Sequence, residues 1–230
     1  MRVAGVDGYK GGWIAVVIDS GNFNDAQVLW NESLESLIQS GGVKTAVVDV
    51  PIGLSSKPEG RNVEAAVRKL LVGKSSSVFN SPCRQALAEQ TYAEASEMNY
   101  SVSGKKLSKQ SWSIFPKIVE ADILARKLGQ HVIREGHPEV SFAVLNGAPI
   151  FAGKKTSAGL FARIGHLAKL GFDLVSVSSQ LPANHAAKAD DLADAAILSW
   201  SALRVSKNEH QSFPIAPNRD ELGLEMAILA

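Results

Sequence analysis

Five carboxylates occupy places in this 230-residue chain where an acid is costly unless something offsets its charge. Asp7 closes the apolar run that begins at Val3, Asp49 lies at the end of the run Thr45 to Val50, and Glu139 follows a third apolar segment at Val132-Ile133. Asp191 and Asp194 stand at i and i+3, on one face of a helical pattern carrying Leu192, Ala195, Ala196 and Leu203. Taken singly, each has an ordinary explanation: Asp7-Gly8 as a turn, Asp49 as a strand end before Pro51, Asp190 or Asp191 as a helix N-cap. Taken together, apolar strands that end in acids gather like charges at one edge of a sheet, and unpaired carboxylates repel. A cation belongs there. Oxygen ligands without cysteine or paired histidine favour the hard ions Mg²⁺ or Mn²⁺ over zinc. Two such ions roughly 4 Å apart would bind a scissile phosphate, activate a water and stabilise the leaving oxygen.

Other chemistries fit the residues less well. Gly73-Lys74-Ser75 looks like the end of a phosphate-binding P-loop, but the position that needs the first glycine is Arg68, inside a helical pattern. Gly5, Gly8, Gly11 and Gly12 do not make G-x-G-x-x-G, and they lead into a strand, not a helix. No G-x-S-x-G elbow is present, the five histidines form no H-x-x-x-H pair, and His137 reads first as a loop residue packed before Pro138. Cys83, the sole cysteine, excludes an internal disulfide and any thiolate-rich metal site, and reads as a small buried hydrophobe.

The elements that must position the acids follow from pattern and punctuation. Arg2 to Val6, Trp13 to Ile18 and Ala26 to Trp30 read as three strands joined by glycine-rich turns, and Ser33 caps a short helix that Gly41-Gly42 ends. A fourth strand, Thr45 to Val50, follows that helix. An antiparallel meander, then a helix, then another strand, predicts a first strand paired in parallel with the fourth, so that Asp7 and Asp49 share one end of the sheet. From 54 to 129 the pattern turns helical, at Val63 to Leu71, Gln85 to Met98 and Gln110 to Leu128, and reads as a helical insertion; Pro116 should kink or divide the last helix. A fifth strand near Val132-Ile133 restarts the α/β pattern, with helices at Ser157 to Leu170 and Asp191 to Val205. The tail from Ser206 onward carries no clear pattern.

Composition sets the outer bounds. With 45% hydrophobic and 20% charged residues the chain is that of a packed globular protein of one α/β domain, 1–230. No apolar run approaches the ~20 residues that cross a bilayer, and the N-terminus reaches Asp7-Gly8 before a signal-peptide core could form, which places the protein in the cytoplasm, away from membranes. Net charge is close to zero overall but divided: Lys57 to Lys127 holds 12 basic and 7 acidic residues, and the remainder 12 basic and 16 acidic. That split fits either a solvated helical surface or an anionic partner held over an acidic site.

Six separated motifs also carry a resemblance. Gly5-Val6-Asp7-Gly8, the three-strand meander, the acid of the fourth strand and Asp191-Leu192-Ala193-Asp194-Ala195 resemble the RNase H-like superfamily, the last most closely its RuvC-type Holliday-junction resolvases. Val6-Asp7-Gly8 with Gly12-Trp13, Asp49 to Leu54, Ser77-Val78-Phe79 with Pro82, Pro116-Lys117-Ile118 with Glu120 and Asp122, His137-Pro138-Glu139 with Phe142, and Asp190 to Ala195 are similar, in order, to a predicted RNase H-like nuclease family, domain of unknown function 429. Asp49 stands where the superfamily usually has Glu, and Glu64 where the family pattern has Asp.

The resemblance implies an RNase H-like mixed five-stranded sheet flanked by helices, with the 54–129 insertion, and a metal-dependent nuclease. On that implication Asp7 bridges two Mg²⁺ or Mn²⁺ ions, Asp49 and Glu139 complete their shells, Asp191 and Asp194 ligate from the helix, and Lys117, Arg68 and Arg84 contact the phosphates of a nucleic acid. Two alternatives share the fold: an ATPase or phosphotransferase of the actin and sugar-kinase type, which normally duplicates the domain, and a non-catalytic nucleic-acid-binding protein.

Overall fold

Strand order follows from which runs are apolar on both faces. In the computed structural model, which describes residues 1–230, β1 (Arg2–Tyr9), β2 (Gly12–Asp19) and β3 (Asn22–Asn31) form the antiparallel meander, and β1 pairs in parallel with β4 (Thr45–Val48). β4 pairs in parallel with β5 (Ile133–Glu135). The mixed sheet has seven strands rather than five, in the order β3-β2-β1-β4-β5-β7-β6, because the patternless tail adds β6 (Ser212–Phe213) and β7 (Ile228–Leu229). Each is two residues long, too short for any alternation to register. The α/β class holds, with nine α-helices around the sheet.

Alternation along the strands sorts the two layers. Ala4, Val6, Ala15, Val17, Ala46 and Val48 point to one face, where α1 (Leu34–Ser40) and α5 (Phe115–Leu128) supply Leu37, Ile118 and Leu124. Ser33 caps α1 as expected, its side chain accepting the Ser36 N–H. The odd-numbered residues Val3 and Val47, with Ile14 and Val16, point to the other face. There α6 (Pro138–Asn146), α7 (Ser157–Leu170), α8 (Leu174–Ser179) and α9 (Ala189–Ser206) close the core. Burial on both faces explains why β2 reads as an unbroken apolar run. The closest approach is α9 over β1: a Cβ on Gly5 would stand 2.1 Å from Ala195 O and from Ser199 N, so only glycine lets the helix lie that near the strand.

Between β4 and β5 lie α2 (Val63–Leu70), two 3-10 turns (Ser75–Ser77 and Arg84–Ala88), α3 (Tyr92–Ser103), α4 (Lys109–Ser113) and α5. The helical pattern at Gln85 to Met98 resolves into the second 3-10 turn and α3, which a Thr91/Glu94 capping box starts. The pattern at Gln110 to Leu128 breaks at Ile114, and Pro116 falls in the first turn of α5, where a missing N–H costs nothing. α5 is part of the core beneath the sheet. No helix is long and apolar enough to cross a membrane.

Candidate active site

Register brings the first two acids together. β1 and β4 pair as Gly5↔Val47 and Val6↔Val48, and the Asp49 N–H donates to Val6 O at 3.0 Å, so the ladder continues with Asp7 beside Asp49. Both lie on the odd-numbered face, the one that packs on α9. Asp194 is contributed by α9 one turn ahead of Leu198, which packs in that same core. Asp7, Asp49 and Asp194 line one cavity of about 420 Å³, with Glu64, Glu135, Glu139, His137, Lys117, Lys154 and Lys155 also in its wall.

The cluster behaves as repelling charges must. Burial, then Asp49 and Asp194, holds the Asp7 carboxyl well above the usual carboxylate range. Burial raises Asp49 too, against the pull of His137 and Lys154. Burial pushes Asp194 up to about 7, even though Lys154 Nζ stands 2.5 Å from its Oδ2. That ammonium also faces Asp49 and Asp7, and its own proton is held more tightly than an ordinary lysine's. One positive charge divided among three buried carboxylates does not repay the desolvation of each. Lys154 supplies part of the positive charge that the acids call for, and sequence reading missed it because it lies in a loop distant in the chain from Asp7, Asp49 and Asp194.

What holds that loop is legible only in three dimensions. Arg163 of α7 is fully buried and donates through Nη1 to Ala152 O, while a Cβ on Gly159 would stand 2.0 Å from Gly153 O. The segment before Lys154 is thereby clamped onto α7. The same guanidinium donates through Nη2 to both oxygens of Glu139, at 2.6 and 2.7 Å, and Lys74 adds a contact at 3.4 Å. Glu139 thus faces the cavity with its charge already matched. A second buried pair closes the floor: Arg61 Nη2 donates to both oxygens of Glu135, at 2.7 and 2.8 Å, and the Ile52 N–H donates to Oε2. Burial nevertheless pushes Glu135 up to about 7. Glu64 accepts from Ser81 Oγ at 2.5 Å. His137 offers the only imidazole in the wall; its Nε2 is 3.4 Å from Ser77 O, and its Nδ1 is buried without a partner.

The remaining expected residues divide. Lys117 reaches the cavity, donating to Gly12 O at 2.5 Å with its ammonium 4.4 Å from the centre of the Trp13 ring; burial lowers its proton affinity. Asp191 lies beside the cavity rather than in its wall: its Oδ2 accepts the Lys188 N–H at 2.8 Å to start α9, its side chain lines the adjoining groove, and its charge still adds to those that raise Asp7. Arg68 is used internally, on Val78 O and Asn80 Oδ1, and Arg84 on Asp122 and Asp220. Neither lines the cavity. No three His, Cys, Asp or Glu side chains close on one point as a finished metal cage.

A groove of about 840 Å³ runs on from the cavity, sharing Gly8, Gln110, Ile114, Lys117, Lys154 and Lys155 with it and adding Lys10 and Lys188. Four acids share the groove with the five lysines: Glu120 accepts from Trp13 Nε1 and the Leu34 N–H, Asp191 starts the helix, and Glu32 and Asp190 also line it.

Among known proteins, no curated protein and no solved structure gives a significant match. A family model described as "Protein of unknown function (DUF429)" matches residues 5–219. That span holds every residue of the cavity wall except Ile228, and on a match covering nearly the whole sequence this chain belongs to the DUF429 family.

Proposed function

We propose that the protein is a metal-dependent phosphodiesterase acting on nucleic acid, with an RNase H-like core. One observation carries this: Asp7, Asp49 and Asp194, from two adjacent parallel strands and the helix crossing them, meet in one cavity at the end of a lysine-lined groove. The strand order β3-β2-β1-β4-β5, an antiparallel meander continued by parallel strands, supports the RNase H-like reading.

The donor set fits a hard divalent cation, being three carboxylates that face one another with a single ammonium among them. Asp7, Asp49 and Asp194 would hold Mg²⁺ or Mn²⁺, which when bound supplies Lewis-acid stabilisation of phosphoryl oxygens and a more acidic water. The chain's own residues do the rest. Lys117 and Lys155 offset phosphate charge at the cavity, Lys154 holds Asp194, and Arg163 offsets the charge that Glu139 brings beside Asp49 and Asp194.

The decisive experiment incubates the protein with single-stranded, duplex and branched nucleic acids and Mn²⁺, beside Asp7→Asn. Cleavage that disappears in the variant is the expected result. Binding without cleavage would favour a non-catalytic nucleic-acid-binding protein, and turnover only of small phosphoesters would move the substrate class.

A further inference from the structure

At the outer rim of the lysine groove three aromatic rings from three separate segments meet. Tyr9 is the last residue of β1, two positions beyond Asp7 on the same strand face. Trp30 comes from β3, and His185 from the loop between α8 and α9. The His185 ring lies 5.0 Å from Tyr9 and 5.2 Å from Trp30, centre to centre. His185 Nδ1 accepts the Ala187 N–H at 3.2 Å, which puts the ring proton on Nε2, 3.3 Å from the Tyr9 hydroxyl oxygen. The phenol therefore accepts, and its own proton stays free to donate. Trp30 is 40% exposed, and neither of its neighbours is buried.

One exposed tryptophan needs no explanation. Three rings in contact, tilted at 44° and 67° to one another, fixed by a hydrogen-bonded histidine and opening onto a groove with Lys10, Lys117 and Lys155 as well as Glu32, do. The surface offers π faces beside positive charge, the pairing that binds unpaired bases irrespective of sequence. A duplex keeps its bases stacked on one another and has no free face to offer. Two residues along β1 separate Tyr9 from Asp7, about 7 Å, and Trp30 lies two strands farther out. A base on the rim is thus within a short run of nucleotides of the carboxylates.

Resting on the phosphodiesterase reading, we propose that the Tyr9–His185–Trp30 rim stacks an unpaired nucleobase and that the strand entering the site is single-stranded nucleic acid, its phosphates following Lys10, Lys117 and Lys155 inward.

Fluorescence anisotropy tests this with Ca²⁺ in place of Mg²⁺ at one fixed salt concentration. The probes are a labelled oligothymidylate, an abasic strand with the same number of phosphates, and a duplex of equal length. The wild-type protein should bind oligothymidylate about tenfold more tightly than the abasic strand, the yield of a single stacked base, and more tightly than the duplex. Trp30→Ala, a surface change, should erase the preference over the abasic strand, and Trp30→Phe should retain most of it. Equal affinity of the wild type for the two single strands, tighter binding of the duplex, or an unaltered preference in Trp30→Ala overturns the rim while leaving the phosphodiesterase standing. Failure to bind any of the three probes overturns both.

Discussion

Replacing Asp7 by Asn should make the metal-free protein more stable at pH 8 and leave it nearly unchanged at pH 3. Register places Asp7 beside Asp49 on adjacent strands, and strands in a sheet run about 4.8 Å apart. Two unit charges at about 5 Å with an effective dielectric near 20 repel by about 3 kcal/mol. Lys154 faces both carboxylates and offsets part of this, leaving roughly 1–2 kcal/mol to be regained when Asp7 is made neutral. For a chain of this length that raises Tm by roughly 2–8 °C. The asparagine keeps the one hydrogen bond that matters locally, since its Oδ1 still accepts the Gly8 N–H, now at 2.7 Å from Asp7 Oδ1. At pH 3, below even an ordinary aspartate's range, the raised wild-type Asp7 carries its proton, so nothing is left to gain. Calorimetric melts of both proteins at the two pH values, in chelator, read the effect directly. A loss of stability at pH 8, or an equal gain at both pH values, would refute the picture of three unneutralised carboxylates.

Two further outcomes follow from the same buried charges. Arg163→Met strands Glu139 in the core with only the longer Lys74 contact, and should cost about 3–5 kcal/mol in urea unfolding at pH 7; a loss under 1 kcal/mol would mean that the pair is solvated. Between about pH 4 and 7 the folded chain binds more protons than the unfolded one, because Asp194 and Glu135 titrate near 7 and Asp7 and Asp49 are also raised. Stability should therefore fall as pH rises through that window, the reverse of the usual carboxylate trend, and fall less in Asp7→Asn. A melting temperature that climbs from pH 5 to 7.5 would contradict this.

Local chemistry was readable from the chain and long-range pairing was not. Asp7, Asp49 and Asp194 could be named because each interrupts an apolar pattern within a few residues of itself. α7 could be bounded at Ser157 and Leu170, and the helix break near Pro116 anticipated, for the same reason. Arg68 and Arg84 show the opposite limit. A guanidinium committed to Asp122 and Asp220 has the same sequence neighbourhood as one that is free, and nothing near Arg84 announces a partner 136 residues away. Asp191 was drawn to the site by its i, i+3 relation to Asp194, yet at the first turn of α9 the backbone N–H of Lys188 competes for its carboxylate and wins. The two tail strands were hidden by their length.

Lys154 sits between these cases. The repulsion among strand-end acids is enough to require a positive charge at that end of the sheet, and so the need was legible although the residue was not. The chain meets the need only in part: one ammonium beside Asp194 leaves that carboxyl titrating near 7 and leaves Asp7 and Asp49 raised as well. Burial is the first cause of that proton affinity, as Glu135 shows: it is raised to about 7 although Arg61 holds both of its oxygens. What sets Asp7, Asp49 and Asp194 apart is mutual repulsion around a single shared ammonium, and that marks this end of the sheet, rather than the Arg163–Glu139 pair beside it, as the place where added positive charge has most to gain.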